Sequence, residues 1–221
     1  MLRAMPQTDF ENLVSAAKLL EKDRYGPKVY ATADRRIVKL FRVKRRISSN
    51  LLSPYARRFA DNAAALSARG IKAPAVDFYG KVPHLNRQIV VYPMVPGTSL
   101  RELLRGADGT AAGGIMRRFG AFLATLHGKG ILFRSIHFGN VIVDGDEMAL
   151  IDFLDLRVFR KSIPEGKRIR NLRFLVKYPE DREMVRSHLT ELREGYGSMV
   201  PGHAHLFEEL ENLTQGSVEA R

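Results

Sequence analysis

The feature that most constrains this chain is a polar pattern in its second half, where two short apolar runs separate an asparagine from an aspartate. Asn140 ends the segment Phe133-Arg134-Ser135-Ile136-His137-Phe138-Gly139-Asn140, and Asp152 follows it by twelve residues. The apolar runs at 141–143 and 148–151 flank a turn-forming Asp-Gly-Asp, which predicts a β-hairpin. Because a hairpin returns the chain to the edge where it began, we expect Asn140 and Asp152 to lie side by side.

Amide and carboxylate oxygens are hard ligands that suit Mg²⁺. Phosphoryl transfer requires such an ion, a cation on the phosphate groups and positioned reactants. Asn140 and Asp152 are therefore predicted as catalytic residues and magnesium ligands. Each of them alone could be a turn or cap residue, so the prediction depends on the joint pattern. For His137 two roles stay open, a packed histidine or a residue that orders the loop, and we favour ordering over direct proton transfer.

A lysine in the first half of the chain could supply the cation. Lys39 lies between Val38 and Leu40 in a predicted apolar strand, and a buried lysine is costly unless it is paired. It lies either on the wet face of this strand or on the α- and β-phosphates of a nucleotide. The pattern around Asn140 favours the nucleotide.

The first half is predicted to be mostly strands with one long helix after an opening helix. A capping box at Thr8-Asp9-Phe10-Glu11 predicts that the opening helix runs to about Lys22. The other predicted elements are strands at 29–32 and 37–43, a helix from Ser53-Pro54 to Gly70, and strands at 75–79 and 88–94.

The second half is predicted to be mostly helical and to begin after a hinge near residues 94–98. Ser99-Leu100-Arg101-Glu102 predicts a capping box, and glycines at 106–109 and 113–114 predict a flexible connection. The following elements are a helix with an apolar stripe from Ile115 to Leu126, the β-hairpin, and two or three helices from about Glu165, Asp181 and His203.

Charge and composition limit the partners. The 221 residues include 36 basic and 24 acidic ones, and a net charge of +12 favours anionic partners. The basic run at 42–46 lacks interleaved aromatic residues, so we expect a solvated strand end or a contact with an anionic substrate or acidic lipid rather than nucleic acid.

Without cysteine the chain forms no disulfide, and no apolar run reaches the roughly 18 residues of a membrane span. We expect a cytoplasmic protein with at most peripheral contact with the inner face of the cytoplasmic membrane; the oligomeric state stays open.

The order of these parts resembles the protein-kinase-like superfamily. Within it, the chain is most similar to the bacterial lipopolysaccharide-core (heptose and Kdo) kinases, nearest their small toluene-tolerance-protein branch. The resemblance covers nearly the whole chain, and the segments that carry it are Val38-Lys39-Leu40-Phe41, Arg69-Gly70-Ile71-Lys72-Ala73-Pro74, Val91 to Gly97, Leu126 to Ile131, Phe133 to Asn140 and Asp152-Phe153. It implies an α+β, bilobal protein-kinase-like fold, with a strand-rich N-lobe at 1–94 and a mostly helical C-lobe at 95–221.

The resemblance also implies ATP and Mg²⁺ as cofactors. Lys39 would bind the nucleotide phosphates, and Gly26 is what remains of a glycine-rich loop. Asp61 or Asn62 stands near the expected acidic partner of Lys39, and Met94 lies in the hinge-like segment. The acceptor would be a hydroxyl of an anionic core sugar or related glycolipid.

The chain departs from this family at the catalytic aspartate, where it has Ser135. Two alternatives stay open: a kinase that works without that base, or a pseudokinase that binds nucleotide or acts as a scaffold. A third, weaker one is a nucleic-acid-associated protein of kinase fold. Asp155 could be a substitute carboxylate, although we favour a structural role for it. Asn171 occupies a position where the family often has aspartate.

Overall fold

The computed structural model describes residues 2–43, 54–200 and 202–215, which have a mixed α+β fold. The chain divides into two compact units, residues 1–95 and residues 96–221. This division falls within the segment predicted as a hinge. Among the described residues, no helix is both long and apolar enough to cross a bilayer.

The first unit is built on a sheet with the strand order β1-β5-β6-β4-β3-β2, which counts six strands within the described residues. Neighbouring strands are antiparallel except β1, which runs parallel to β5. The strands are β1 (Arg3–Ala4), β2 (Lys18–Asp23), β3 (Gly26–Ala31), β4 (Arg36–Arg42), β5 (Phe78–Val82) and β6 (Arg87–Pro93).

Two helices accompany this sheet, α1 (Gln7–Val14) and α2 (Tyr55–Ser67). Phe10 of α1 is buried in a cluster with apolar residues of the sheet, among them Val38 and Ile89. Helix α2 buries one stripe at helical spacing, and its Phe59 stacks on Tyr92 with ring centroids 5.3 Å apart. Burial of this stripe is the main reason that α2 forms where its periodicity predicts it.

The opening helix is shorter than predicted. It ends at Val14, its N-cap is Pro6, and no side chain caps it, so the predicted capping box at Thr8 is absent. Residues 18–23 form β2 and pair with β3, while Leu19 and Leu20 remain 41% and 49% exposed. The periodicity of apolar residues predicted a helix here because it contains no information on backbone pairing. Hydrogen bonding to β3 outweighs that helical preference.

Two other predictions in the first unit change. The strand predicted from Ala75 begins at Phe78, whereas β4 and β6 lie close to their predicted positions. Pro54 is the N-cap of α2 and not its first helical residue. Ser53 and the basic residues Lys44 to Arg46 lie outside the described residues.

The second unit is mostly helical. Its helices are α3 (Leu100–Gly106), α4 (Gly109–Gly128), α5 (Glu165–Leu175), α6 (Pro179–Ser187), α7 (Leu189–Gly197) and α8 (Ala204–Gln215). Its strands are β7 (Thr98–Ser99), β8 (Ile131–Phe133), β9 (Val141–Asp144), β10 (Glu147–Leu150) and β11 (Leu156–Val158). They form a β10-β9-β7 sheet and a β11-β8 pair.

Local capping agrees with the sequence at α3 and corrects it at α4. Ser99 Oγ accepts a hydrogen bond from Glu102 N at 3.2 Å, which is the serine half of the predicted capping box, and donates to Glu102 Oε2 at 2.8 Å. Asp108 Oδ1 accepts from Ala111 N at 2.8 Å and starts α4 early, so the glycines at 113–114 are helical and not a flexible connection.

Helices α4 and α7 pack closely because of two glycines. A Cβ on Gly120 would lie 2.2 Å from Leu192 O, and one on Gly195 would lie 1.8 Å from Arg117 O. Helix α7 was not among the helices predicted for the tail, since only starts near 165, 181 and 203 were expected. Its sequence is polar on the exposed side, and contact with α4 stabilises it.

Candidate active site

The predicted hairpin of β9 and β10 is present and brings the two predicted metal ligands to one edge. Val141 pairs with Leu150, and Ile151 N then donates a hydrogen bond to Asn140 O at 3.0 Å. Asn140 therefore stands opposite Ile151, one residue before Asp152. The strand pairing, and not the loop itself, fixes the separation of these two residues.

Asn140 is held by the loop that precedes it. It is 8% exposed, its Nδ2 donates to Ser135 O at 3.0 Å, and its backbone N donates to His137 O at 2.9 Å. These bonds use the donors of Asn140 within the loop. The carbonyl oxygen of its side chain is the atom with the chemistry of a metal ligand.

Asp152 has an unusual backbone conformation. Its φ is +53°, in the left-handed region, although the residue following it, Phe153, is fully buried and packed. A non-glycine residue in this region costs on the order of 1–3 kcal/mol and occurs preferentially at functional sites. The strain is a second reason, independent of the motif, to treat Asp152 as functional.

A magnesium ion fits this donor set in only one way. Within the part of the chain that the structure describes, no group of three or more His, Cys, Asp or Glu residues is placed to hold a metal. The protein would therefore offer two oxygen ligands, from Asn140 and Asp152. Nucleotide-bound Mg²⁺ takes one or two protein ligands and completes its shell with phosphate oxygens and water, so the residues present fit.

Ser135, at the position of the missing aspartate, is bonded to another carboxylate. Its Oγ donates a hydrogen bond to Asp155 Oδ2 at 2.8 Å. The other oxygen, Asp155 Oδ1, is buried and has no hydrogen-bond partner among the described residues. The structural role that the sequence favoured for Asp155 does not account for a buried carboxylate oxygen left without a partner.

The Ser135–Asp155 pair lies on the wall of a cavity of about 190 Å³ within the second unit. The cavity combines two cations, two aromatic rings, a histidine and the pair itself. Its lining residues are Arg134, Ser135, His137, Asp155, Phe174, Lys177 and Tyr178.

His137 lies on the cavity wall and contacts Tyr178 edge to face, with ring centroids 5.0 Å apart. Burial lowers the pKa of His137, and the Arg101 guanidinium, 3.5 Å from its Nδ1, lowers the pKa further. The neutral ring is thereby favoured. His137 is itself part of the loop of residues 133–140, and an ordering role for it stays a prediction.

A buried ion pair that the sequence did not indicate holds the same loop. Asp181 is fully buried and accepts hydrogen bonds from Arg101 Nε at 2.7 Å, Arg101 Nη2 at 2.9 Å and Phe138 N at 3.1 Å. In the sequence, Arg101 stood out only as part of a capping box and Asp181 only as a helix start. Their separation by 80 positions hides the pair from any local pattern.

A second buried network joins the start of the loop to three helices. His127 Nδ1 lies 2.8 Å from Tyr196 Oη, His127 Nε2 lies 3.1 Å from Asn171 Oδ1, and Asn171 Nδ2 donates to Phe133 O at 2.6 Å. Burial lowers the pKa of His127 to about 4. The network explains asparagine at position 171, because an ionised aspartate could not donate to the Phe133 carbonyl.

The residues predicted in the first unit occupy different environments. Lys39 lies in β4 and is 9% exposed, so it is not on a wet face, and its Nζ is 6.0 Å from the Phe41 ring centroid. Gly26 begins β3 with a φ of +110°. Met94 N donates to Arg35 O at 2.8 Å directly after β6.

The candidate partner of Lys39 is poorly placed for that role. The Asp61 side chain is 65% exposed and lies 3.7 Å from Arg57 on the same helix. Asn62 is half-buried. Asp61 thus behaves as a surface residue of α2.

Neither protein-family models nor curated proteins gave a match to the sequence. Among solved structures, 1460 chains match, so the fold is widespread and does not by itself specify a substrate. One of them, WaaP in complex with acyl carrier protein, superposes with a TM-score of 0.57 over 93% of this chain and 91% of that chain, at 15% sequence identity. Likeness at this identity concerns the fold, and the chain accordingly has the α+β, kinase-like fold of WaaP.

Proposed function

We propose that this protein is an ATP-dependent phosphotransferase that acts on a hydroxyl of a lipopolysaccharide-core sugar or a related glycolipid. The observation that carries the proposal is the hairpin edge where Asn140 adjoins a strained Asp152. The resemblance of the sequence to lipopolysaccharide-core kinases and the fold likeness to WaaP support it.

In this function, Asn140 and Asp152 hold Mg²⁺ through their side-chain oxygens. The ion, when bound, neutralises charge on the transferring phosphate. Loop hydrogen bonds from Asn140 to Ser135 O and His137 O keep the amide oxygen in place. Residues 1–94 would form the lobe that contacts the nucleotide, with Lys39 on its phosphates and Gly26 and Met94 around it. Residues 95–221 would form the lobe that carries the metal ligands.

The acceptor would enter the cavity beside Ser135. Arg134 and Lys177 give this cavity two positive charges, and Phe174 and Tyr178 give it two aromatic rings. These groups suit an anionic polyol such as a core sugar with a phosphate or carboxylate. A basic chain of net charge +12 is also attracted to the acidic inner face of the cytoplasmic membrane, where such glycolipids are assembled.

A protein partner is a further part of this proposal. WaaP was solved in complex with acyl carrier protein, and this chain matches nearly its full length. We propose that the chain also binds a carrier protein, which a pull-down with purified acyl carrier protein would test.

The second candidate function is a pseudokinase, and the observation that favours it is Ser135 at the place of the catalytic carboxylate. General base catalysis contributes about 10²–10⁴-fold, or roughly 3–5 kcal/mol of barrier. Metal and electrostatic stabilisation usually contribute more. Loss of the base alone therefore slows such an enzyme without abolishing transfer.

Melting temperatures with and without Mg²⁺-ATP test nucleotide binding. We expect Mg²⁺-ATP to raise the Tm of the wild type and of the control Asp146→Ala, whose side chain is 96% exposed, but not of Asp152→Ala. Absence of a shift in the wild type would contradict the nucleotide site and favour a scaffold. A shift without phosphate transfer to core oligosaccharide or water would favour the pseudokinase.

A further inference from the structure

We propose that Ser135 and Asp155 together replace the single catalytic carboxylate, with Ser135 passing the proton of the acceptor hydroxyl to Asp155. This inference rests on the proposed phosphotransferase function and assigns its proton acceptor. It also fixes where the acceptor hydroxyl binds, namely at Ser135 Oγ on the wall of the cavity.

The first argument is the geometry of the pair. Ser135 Oγ donates to Asp155 Oδ2 at 2.8 Å, an ordinary length for a hydroxyl bonded to a carboxylate. The hydroxyl proton therefore already points at the carboxylate. Its lone pairs remain to accept a proton from a ligand in the cavity.

The second argument is the buried oxygen of Asp155. A buried polar atom without a partner costs about 1–3 kcal/mol, and Asp155 Oδ1 has none among the described residues. A purely structural carboxylate would be expected to use both oxygens. Oδ1 is enclosed, so Oδ2 is the oxygen available to take up a proton, and its hydrogen bond to Ser135 Oγ gives a direct path for a proton from a hydroxyl bound at Ser135.

The third argument is the surroundings of the pair. Arg134 and Lys177 line the same cavity as Ser135 and Asp155, so an anionic group on the acceptor can be bound while a neighbouring hydroxyl lies at Ser135. The acceptor class is therefore a polyol with a phosphate or carboxylate.

The step balances as follows. The acceptor O–H bond breaks and its proton moves to Ser135 Oγ while the serine proton moves to Asp155 Oδ2. The acceptor oxygen forms a bond to the γ-phosphorus of ATP, and the bond from that phosphorus to the β–γ bridging oxygen breaks. The electron pair leaves with ADP, and protonated Asp155 returns its proton to water through Ser135.

Four variants test the relay, each assayed with Mg²⁺-ATP and two acceptors, water and a core oligosaccharide from which phosphate has been removed but whose carboxylates are kept. Ser135→Ala and Asp155→Asn should each lower kcat about 100-fold or more while the ATP-induced Tm shift is kept. The double variant Ser135→Ala/Asp155→Asn should fall no further than either single variant, because the two residues act as one unit. Ser198→Ala, at an exposed serine of the same unit whose Oγ donates to Gly195 O at 2.7 Å, is the control and should keep the wild-type kcat.

Variants with aspartate at position 135 distinguish the relay from the alternative that the protein has no catalytic base. Ser135→Asp alone should not raise kcat, since it places two carboxylates against each other. Ser135→Asp/Asp155→Asn should recover kcat to within about tenfold of wild type, because one carboxylate then contacts the acceptor directly. When kcat is plotted against the deuterium fraction of H₂O and D₂O mixtures, the wild type should give a curve, because two protons move in the transition state. The double variant should give a straight line, because one proton moves.

The outcomes distinguish the inference from the function on which it rests. A wild type that transfers phosphate, with Asp155→Asn or Ser135→Ala within twofold of it, overturns the relay and leaves the function standing. A rise in kcat for Ser135→Asp alone also overturns the relay. A wild type that transfers phosphate to neither acceptor overturns both.

Discussion

Two sets of polar side chains around the loop of residues 133–140 differ in how completely they are enclosed. The enclosed set, His127, Asn171 and Asp181, is at most 2% exposed, and each member has hydrogen-bond partners within the protein. The cavity set is Ser135, His137 and Asp155, which line an accessible cavity and include an unpartnered oxygen. Enclosed polar groups whose hydrogen bonds are satisfied serve stability, whereas side chains on the wall of a cavity can contact a ligand.

The largest expected effect is on the enclosed ion pair. Asp181→Ala removes the acceptor of three hydrogen bonds and leaves Arg101 without its buried partner, so we expect a loss of about 3–5 kcal/mol in unfolding free energy. Urea denaturation measures it. Glu180→Ala, whose side chain is 43% exposed, is the control and should change stability by less than about 1 kcal/mol. If Asp181→Ala and Glu180→Ala lowered the unfolding free energy equally, enclosure of Asp181 would not explain its contribution to stability.

The next effect is the pH dependence that His127 imposes. Its pKa of about 4 in the folded protein lies below the unfolded value near 6.5, so the unfolded chain binds more protons between these values. The stabilisation is complete above pH 6.5 and is lost as the pH falls towards 4, by about 3 kcal/mol. Unfolding free energies measured from pH 4 to 7.5 should show this slope, and His127→Gln should flatten it. A slope that persists in His127→Gln would assign it to other groups.

A smaller effect is expected for the amide at position 171. Asn171→Asp replaces the donor to Phe133 O with a carboxylate oxygen that repels it, and we expect a loss of about 1–3 kcal/mol at pH 7.5. Asn12→Asp, on the exposed side of α1, should be close to neutral. If Asn171→Asp were equally neutral, the hydrogen bond from Asn171 to Phe133 O would not contribute to stability, contrary to this prediction.

The smallest effect on stability is expected in the cavity set. Asp155→Asn keeps the shape and the acceptor for Ser135 while removing a charge, so the unfolding free energy should change by less than about 1 kcal/mol or rise slightly. The same variant is the one expected to lower kcat. A loss of stability comparable to that of Asp181→Ala would place Asp155 in the enclosed set.

The backbone geometry around the candidate site was predictable where it depends on residues close together in the sequence. The hairpin between Asn140 and Asp152 was predicted from the apolar runs and the turn between them, and the pairing of β9 with β10 follows that prediction. The N-cap at Ser99 is likewise local, because Ser99 and Glu102 are three positions apart. Residues separated by long stretches of chain gave no such signal. Asp155 was considered as a substitute carboxylate, but its hydrogen bond to Ser135, 20 positions away, was not predicted, and neither was the pairing of Arg101 with Asp181, 80 positions apart.

The errors in the fold have the same origin. Helical periodicity predicted residues 15–22 as helix, although residues 18–22 belong to β2, which pairs with β3. Helix α7 depends on Gly120 of α4, which lies against Leu192, and on Gly195 of α7, which lies against Arg117; nothing in the local sequence distinguishes these glycines from others. Backbone pairing and close approach are tertiary interactions, and local propensity does not contain them.

The sequence by itself determined the fold class, the hairpin edge with Asn140 and Asp152, and the absence of an aspartate at position 135. The tertiary structure alone decided that Lys39 is buried, that Asp181 holds the loop, and that the carboxylate of Asp155 stands beside Ser135. The physical reason is that strand register and helix capping depend on neighbours along the chain. The surroundings of a carboxylate depend on which distant side chains folding brings within hydrogen-bond distance.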